Sequence, residues 1–298
     1  MPELDVFVAG GVGVDTIVQV PELPLPIRDS YKVPPIRQYV AHTGNGVAMG
    51  CAALGLRTHL ADVIGADPEG DFVLAHYAKA GLSFDHVTHP SGTRRSVNLV
   101  DPGGARLSLY DGRHPDDLVV DPALYREAVG RSRHVHASLV DWSRHALAEA
   151  IEAGVPTSTD LHNWDGKAAW RHDFAYGADV VFMSANLLGD RVEEVADDVL
   201  TRGRARAVVT MAGGDGSYLK LPGIPLRHVP ALTLPRERVV DTNGAGDSYV
   251  AGFLYAYLAG RDWATCVRAG TYAGAHAVQT AGTHTSFVSA EELVRALA

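Results

Sequence analysis

Cysteine is nearly absent from this chain: Cys51 and Cys266 are its two thiols among 298 residues. Two cysteines cannot build a disulfide framework, a zinc finger or an iron–sulfur cluster, so nothing implies an oxidising compartment. Positive charge is also short. Lys and Arg number 26 against 35 Asp and Glu, a formal charge of −9 with histidines neutral, and that sign argues against binding nucleic-acid phosphates. No stretch approaches the ~18 apolar residues of a bilayer span. The opening Met1-Pro2-Glu3-Leu4-Asp5-Val6-Phe7 places no basic segment before an apolar run, so it reads as the lead into a strand and not as a signal peptide. Together these absences predict a soluble cytoplasmic protein with no membrane or nucleic-acid partner. A hydrophobic fraction of 46% with 20% charged residues is that of a globular protein.

What is present is alternation. Apolar, β-branched runs of strand length occur at Val6–Ala9, Thr58–Ile64, His134–Leu139, Val155–Asp160, Asp179–Met183 and Ala205–Thr210. Helical spacing fills Gly46–Leu54, Gly70–Ala80, Ser143–Ala153 and Arg191–Thr201. Strands alternating with helices predict βαβ crossovers and a mostly parallel sheet covered on both faces, with no linker or repeat dividing residues 1–298. Two stretches break the pattern. Val14–Val40 carries five prolines, and Ser96–Tyr110 reads as a hairpin turning at Asp101-Pro102-Gly103-Gly104. A strand pair without its own helix predicts a small β-flap, drawn from about 14–40 and 95–111, over one edge of the core.

The most informative run is Asp241-Thr242-Asn243-Gly244-Ala245-Gly246-Asp247. Val250, Phe253, Leu254, Tyr257 and Leu258 follow at i, i+3, i+4, i+7 and i+8, which predicts a helix starting near Gly244 with one buried face. Glycines at a helix N-terminus let backbone N–H groups approach an anion closely, and the helix dipole favours negative charge there. Asp247 in that first turn offsets the dipole by itself. Beside an N–H cradle it can also accept a proton from a hydroxyl while the cradle holds the group being transferred.

This run resembles the C-terminal signature of the ribokinase, or PfkB carbohydrate kinase, family. Gly10-Gly11-Val12-Gly13-Val14-Asp15, Gly65-Ala66-Asp67-Pro68-Glu69-Gly70 and the glycine cluster from Thr210 to Gly216 match in order and spacing over about residues 5–290. The resemblance implies a ribokinase-like three-layer αβα core with a small β-lid. It implies Mg2+-dependent transfer of the γ-phosphoryl group of ATP to a hydroxymethyl group of a sugar or nucleoside. By position, Asp247 matches the family's base, and Gly244, Ala245 and Gly246 its anion hole. Asp15, with Gly44 and Asn45, matches the acceptor site. Thr210, Gly213, Gly214 and Gly216, with Asn186, match the nucleotide site. Asp241, Asn243, Ala277, Thr280, Gly282 and Ser286 match a monovalent-cation site, expected to hold K+. A flap with exposed edge strands also invites a homodimer.

Two departures stand out. Ala41-His42-Thr43-Gly44-Asn45-Gly46 lacks the family's di-glycine and carries Asn45 one position early. The family's Asn-x-x-Glu, which helps hold magnesium, reads Asn186-Leu187-Leu188-Gly189, with Asp190 one residue late. They leave open a catalytically idle sugar or nucleotide sensor, although such a sensor would not need Asp247. His134-Val135-His136 could mark a metal-dependent hydrolase, but no second His/Asp cluster accompanies it. The basic pairs in Thr93-Arg94-Arg95-Ser96 and Arg204-Ala205-Arg206 could hold a phosphorylated substrate, but short basic pairs are expected to be solvated surface.

Overall fold

Among residues 2–298, which the computed structural model describes, one sheet holds nine strands and a second holds four. In chain order the strands are β1 (Val6–Ala9), β2 (Gly13–Gln19), β3 (Arg37–Ala41), β4 (Thr58–Ile64), β5 (Ser83–Thr88), β6 (Arg95–Val100) and β7 (Arg106–Asp111). They continue as β8 (Val135–Ala137), β9 (Thr157–Asp160), β10 (Val180–Ser184), β11 (Ala207–Met211), β12 (Ser217–Leu221) and β13 (Ile224–Val229). The large sheet runs β13-β12-β11-β10-β9-β8-β1-β4-β5. From β11 to β5 every pairing is parallel, while β12 and β13 add an antiparallel edge.

The six apolar runs of the sequence become core strands, their ends shifted by a residue or two where they differ at all. Residues alternate between two helical layers, as a doubly covered sheet requires. Val6, Val8, Val180 and Phe182 pack beneath α1 (Thr43–Ala53), α2 (Pro68–Ala80), α7 (Ala245–Leu258), α8 (Trp263–Ala277) and α9 (Ala290–Leu297). Phe7, Ala9, Val181 and Met183 face α3 (Arg126–Arg131), α4 (Ser143–Glu152), α5 (His172–Gly177) and α6 (Val192–Arg202). The expected single buried face of α7 is corrected. From Ser248 to Leu254 every residue is buried, because the helix is wedged between the sheet, α1 and α8. Gly252 permits this closeness, since a Cβ there would lie 2.6 Å from that of Ala273.

The two excursions form the second sheet, in the order β3-β2-β6-β7. The expected hairpin is β6 and β7, but β6 also lies parallel to β2, so the flap is mixed. Cross-strand register puts Tyr39, Asp15, Ser96 and Tyr110 on one face and Gln38, Thr16, Val97 and Leu109 on the other.

The basic pairs also need correction. Arg94 is buried and bonds Asp62 at 2.9 Å, while Arg95 lies on the surface against Glu69 and Asp111. Arg204 pairs with Asp179. His134 and His136 are both spent inside the sheet on the Ser158 hydroxyl, at 2.8 and 2.9 Å. Burial lowers their pKa values to about 4 and about 3, which keeps the imidazoles neutral.

Candidate active site

Ligands of open α/β sheets gather at the carboxyl ends of the strands. Here the opening turns of α1 and α7 converge on that edge. Gly10 and Gly11, which follow β1, have φ 79° and 86°, and a Cβ on Gly44 would lie 1.8 Å from the Gly10 carbonyl oxygen. On Gly46 a Cβ would lie 2.3 Å from His284 Nε2 and 2.5 Å from Asp247 Cβ. Glycine at both positions lets α1 press its backbone against the site. Gly44 is therefore a buried packing position in this arrangement.

Gly244 is the N-cap of α7, at φ 76°, and Ala245, Gly246 and Asp247 form the first turn. The N–H groups of Gly246 and Asp247 precede any intrahelical acceptor and are free to hold an anion. Asp247 Oδ2 lies 2.7 Å from His284 Nε2. His284 Nδ1 is 2.9 Å from Asn45 Nδ2, and the Asn45 side-chain Oδ1 accepts from the Tyr77 hydroxyl at 3.0 Å. Asn45 is 0% exposed and its amide is fully engaged, so its side chain serves a buried hydrogen-bond network and is not presented to solvent.

Asp15 occupies the inner face of the second sheet. His42 Nε2, at the N-cap of α1, lies 3.4 Å from its Oδ1 and 3.2 Å from Ser96 Oγ. Burial pushes the Asp15 pKa up, but hydrogen bonds from His42 and Ser96 and the charge of His42 outweigh it, and the net shift is downward. Asp15 is thus held as a carboxylate, ready to accept hydroxyl hydrogen bonds. One turn of α1 ties the two carboxylates together, His42 to Asp15 and Asn45 through His284 to Asp247.

The residues expected at a nucleotide site fall in different surroundings. Gly213 and Gly214 are exposed, and a Cβ on either would meet nothing within 4 Å, which leaves room for a ligand against the backbone. Gly216, at φ 101°, serves packing instead, since a Cβ would lie 2.1 Å from the Val229 carbonyl oxygen. Thr210 is corrected: it sits inside β11, 1% exposed, and the loop begins beyond Met211. Met211 in turn lies 3.6 Å from where a Gly246 Cβ would be, which sets the loop beside the first turn of α7. Asn186 is exposed, its N–H bonded to Ser184 Oγ, and Asp190 is exposed after Gly189 at φ 57°.

Asp241 gathers the cation-loop candidates. Its Oδ1 accepts from the backbone and side-chain amides of Asn243, and its Oδ2 from Gly282 N at 3.0 Å. The Ala277 carbonyl accepts from Thr280 N, and Ser286 Oγ meets His276 Nε2 at 3.1 Å. Arg106 of β7 donates to Asn243 Oδ1, so the second sheet touches the loop leading into α7.

A profile of the pfkB family carbohydrate kinases matches residues 28–290. The acarbose 7(IV)-phosphotransferase of Actinoplanes sp. is 44% identical over 292 residues, 98% of this chain and 97% of that protein. The chain belongs to the pfkB family of carbohydrate kinases. Like its family, this kinase is an ATP-using phosphotransferase with an alcohol group as acceptor, of the sugar-kinase type. A solved microbiome-derived acarbose kinase is 53% identical, with 99% of each chain covered and a TM-score of 0.93. The ribokinase of Arabidopsis thaliana, solved with ribose and ATP, shares the fold at 19% identity, with a TM-score of 0.79 and 99% and 98% coverage.

Several residues of the kinase's site carry no signal in the sequence. His42, His162 and His284 adopt φ 72°, 51° and 56°, conformations that side-chain-bearing residues rarely take, and strain of this kind clusters at functional sites. His162 Nε2 meets Thr43 Oγ1 at 3.2 Å. Nearby Asp160, at the end of β9, has its pKa raised by burial, partly offset by His162 and reinforced by the charge of Asp247. Histidine at Gly-x-His spacing (Gly282-Thr283-His284) is the one hint the sequence holds, and it is too common to single out.

Proposed function

We propose that this kinase transfers the γ-phosphoryl group of ATP to a hydroxymethyl group of an acarbose-type oligosaccharide, with Asp247 as general base and Asp15 holding acceptor hydroxyls. The observation that carries the reading is Asp247 beside the unpaired N–H groups of α7, in a chain similar along its whole length to two acarbose-phosphorylating proteins. Tyr110 supports a ring-binding rim, being 61% exposed with its ring centroid 5.6 Å from that of His42. The test is an ADP-release screen with Mg-ATP over acarbose, monosaccharides, phosphosugars and nucleosides. The reading expects acarbose-type acceptors to give the highest kcat/KM, and a nucleoside leading that ranking contradicts it.

Asp15→Ala is expected to raise the acceptor KM about 10- to 150-fold, the loss of a charged hydrogen bond worth ~1.5–3 kcal/mol. The KM for ATP should stay near wild type. Steady-state kinetics with each substrate varied will check this, and an effect confined to ATP would move Asp15 to the other side of the site.

Asn186 and Asp190 suit an outer position toward Mg2+, and Asp241, Ser286 and the carbonyls of Asn243, Ala277, Thr280 and Gly282 suit a monovalent cation, because all are hard oxygen donors. A bound ion would fix the Asp241 loop and so the orientation of the α7 N–H groups. Replacing a tetraalkylammonium salt by potassium at constant ionic strength should therefore raise initial rates, and Asp241→Asn should blunt the response. Equal rates in the two salts would remove the cation from the account.

The second sheet acts as a lid, an assignment supported by the bond from Arg106 to Asn243. Its outer face exposes Val97, Leu107 and Leu109, a surface suited to a symmetric homodimer. No helix among the described residues is long and apolar enough to cross a membrane, and with two buried free cysteines a cytoplasmic setting is proposed.

A further inference from the structure

We infer that His284 is a positioning residue that holds Asp247 through a hydrogen-bond chain of fixed polarity, running Tyr77–Asn45–His284–Asp247. This rests on the reading of Asp247 as the base.

The polarity follows from the far end. Burial raises the Tyr77 pKa well above its ordinary value, so the phenol is a donor, and it donates to Asn45 Oδ1 at 3.0 Å. Asn45 Nδ2 donates to the Val40 carbonyl at 3.1 Å, a contact that an inverted amide would turn into two opposed oxygens. With the amide fixed in this sense, its NH2 group faces His284 Nδ1 at 2.9 Å, and Nδ1 must be the acceptor. The ring proton therefore sits on Nε2 and points at Asp247 Oδ2, 2.7 Å away. One carboxylate oxygen is tied, and Oδ1 is left to receive the acceptor's proton.

Packing holds the ring in that place. Its side chain is 2% exposed and stacks on Phe287 with ring centroids 6.3 Å apart, while Gly244 and Gly46 give it room that a Cβ on either would fill. The backbone at φ 56° is an uncommon conformation for a residue with a side chain, and the bonds at both ring nitrogens hold it. The chain begins on α2, passes through α1 and ends on α7. It therefore couples the base to the helix whose N-cap, His42, meets Asp15.

The test combines five variants with ATP and acceptor kinetics and with ATP titration calorimetry as the check on folding. His284→Ala should lower kcat about 10- to 100-fold, the usual cost of losing a group that orients a functional one, while KM and Kd for ATP stay within about threefold. His284→Gln can present an oxygen to Asn45 and an N–H to Asp247, so it should recover most of the lost kcat. Asn45→Leu removes the donor to Nδ1 without adding a charge. It frees the ring from its fixed tautomer and should lower kcat about as much as His284→Ala, with the double variant no worse than either single one. A His284→Ala enzyme with near wild-type kcat, a Gln variant as poor as Ala, or additive losses in the double variant would each overturn the inference. Asp247→Asn separates the two claims: if it stays active, the reading of the base has failed, whereas if it is dead and His284→Ala is active, only the chain has failed. Should His284→Ala not bind ATP, the contrast between His284→Gln and Asn45→Leu decides alone.

Discussion

Asp247→Asn is expected to lower kcat by about 10²–10⁴-fold while leaving the affinity for ATP near wild type. Asparagine keeps the size and the hydrogen bond with His284 Nε2, and it leaves the N–H groups of the first turn of α7 untouched. What it removes is an atom able to accept the proton that must leave the acceptor hydroxyl as the γ-phosphoryl group is transferred. Calorimetric ATP binding and steady-state rates on the same preparation check the two halves of this expectation. Loss of ATP binding together with activity would mean that Asp247 supports the nucleotide site instead.

The second large effect concerns stability. Asp62 is fully buried and accepts four hydrogen bonds: from Val12 N and Val63 N at 2.7 Å, from Arg94 Nη1 at 2.9 Å and from Trp142 Nε1 at 3.0 Å. Arg94→Met would keep the bulk of the side chain and remove the guanidinium, leaving a buried carboxylate with no opposite charge. The expected cost is about 3–5 kcal/mol of unfolding free energy, toward the lower end because three N–H donors remain. Arg94 immediately precedes β6 and Val12 immediately precedes β2, so the pair anchors the root of the second sheet to β4 in the core. Urea unfolding of the variant measures this. Because a neutral amide no longer needs the counter-charge, the double variant Asp62→Asn/Arg94→Met should lose less than Arg94→Met alone. A single variant within about 1 kcal/mol of wild type would show that the ion pair is dispensable.

The core of the fold is legible in the sequence because parallel strands buried on both faces tend to be near-continuous apolar runs, as Val6–Ala9 is, with all four residues buried. The strands without such a signal are of another kind. β5 is a largely exposed edge strand, and Lys220 in β12 and Arg227 and His228 in β13 interrupt the apolar residues, so no apolar run marks them. The start of α7 is legible because glycine, acid and apolar period coincide within one segment, although the period cannot foretell burial on every side.

The site is legible where its logic is local and obscure where it is long-range. Asp247 and its N–H cradle lie within one helical turn, and Asp241 reaches Asn243 two residues on. Glycine spacing alone puts Thr210 in the loop, but its strand pairs with Tyr218 and Met183, which carries it into the sheet interior. Asn45 resembles an acceptor ligand because its partner, His284, lies 239 residues away, and no spacing rule connects them. The left-handed backbones of His42, His162 and His284 are likewise imposed by the assembled fold, against the local preference of the residue.

The most direct measurement is transfer of label from Mg-[γ-32P]ATP in a single turnover with the wild-type enzyme, acarbose and a nucleoside in parallel reactions, and with Asp247→Asn as the companion. The account predicts stoichiometric label on acarbose with wild-type enzyme, little on the nucleoside and almost none on either with Asp247→Asn. Label appearing only as inorganic phosphate, or equal transfer to acarbose by Asp247→Asn, would contradict it.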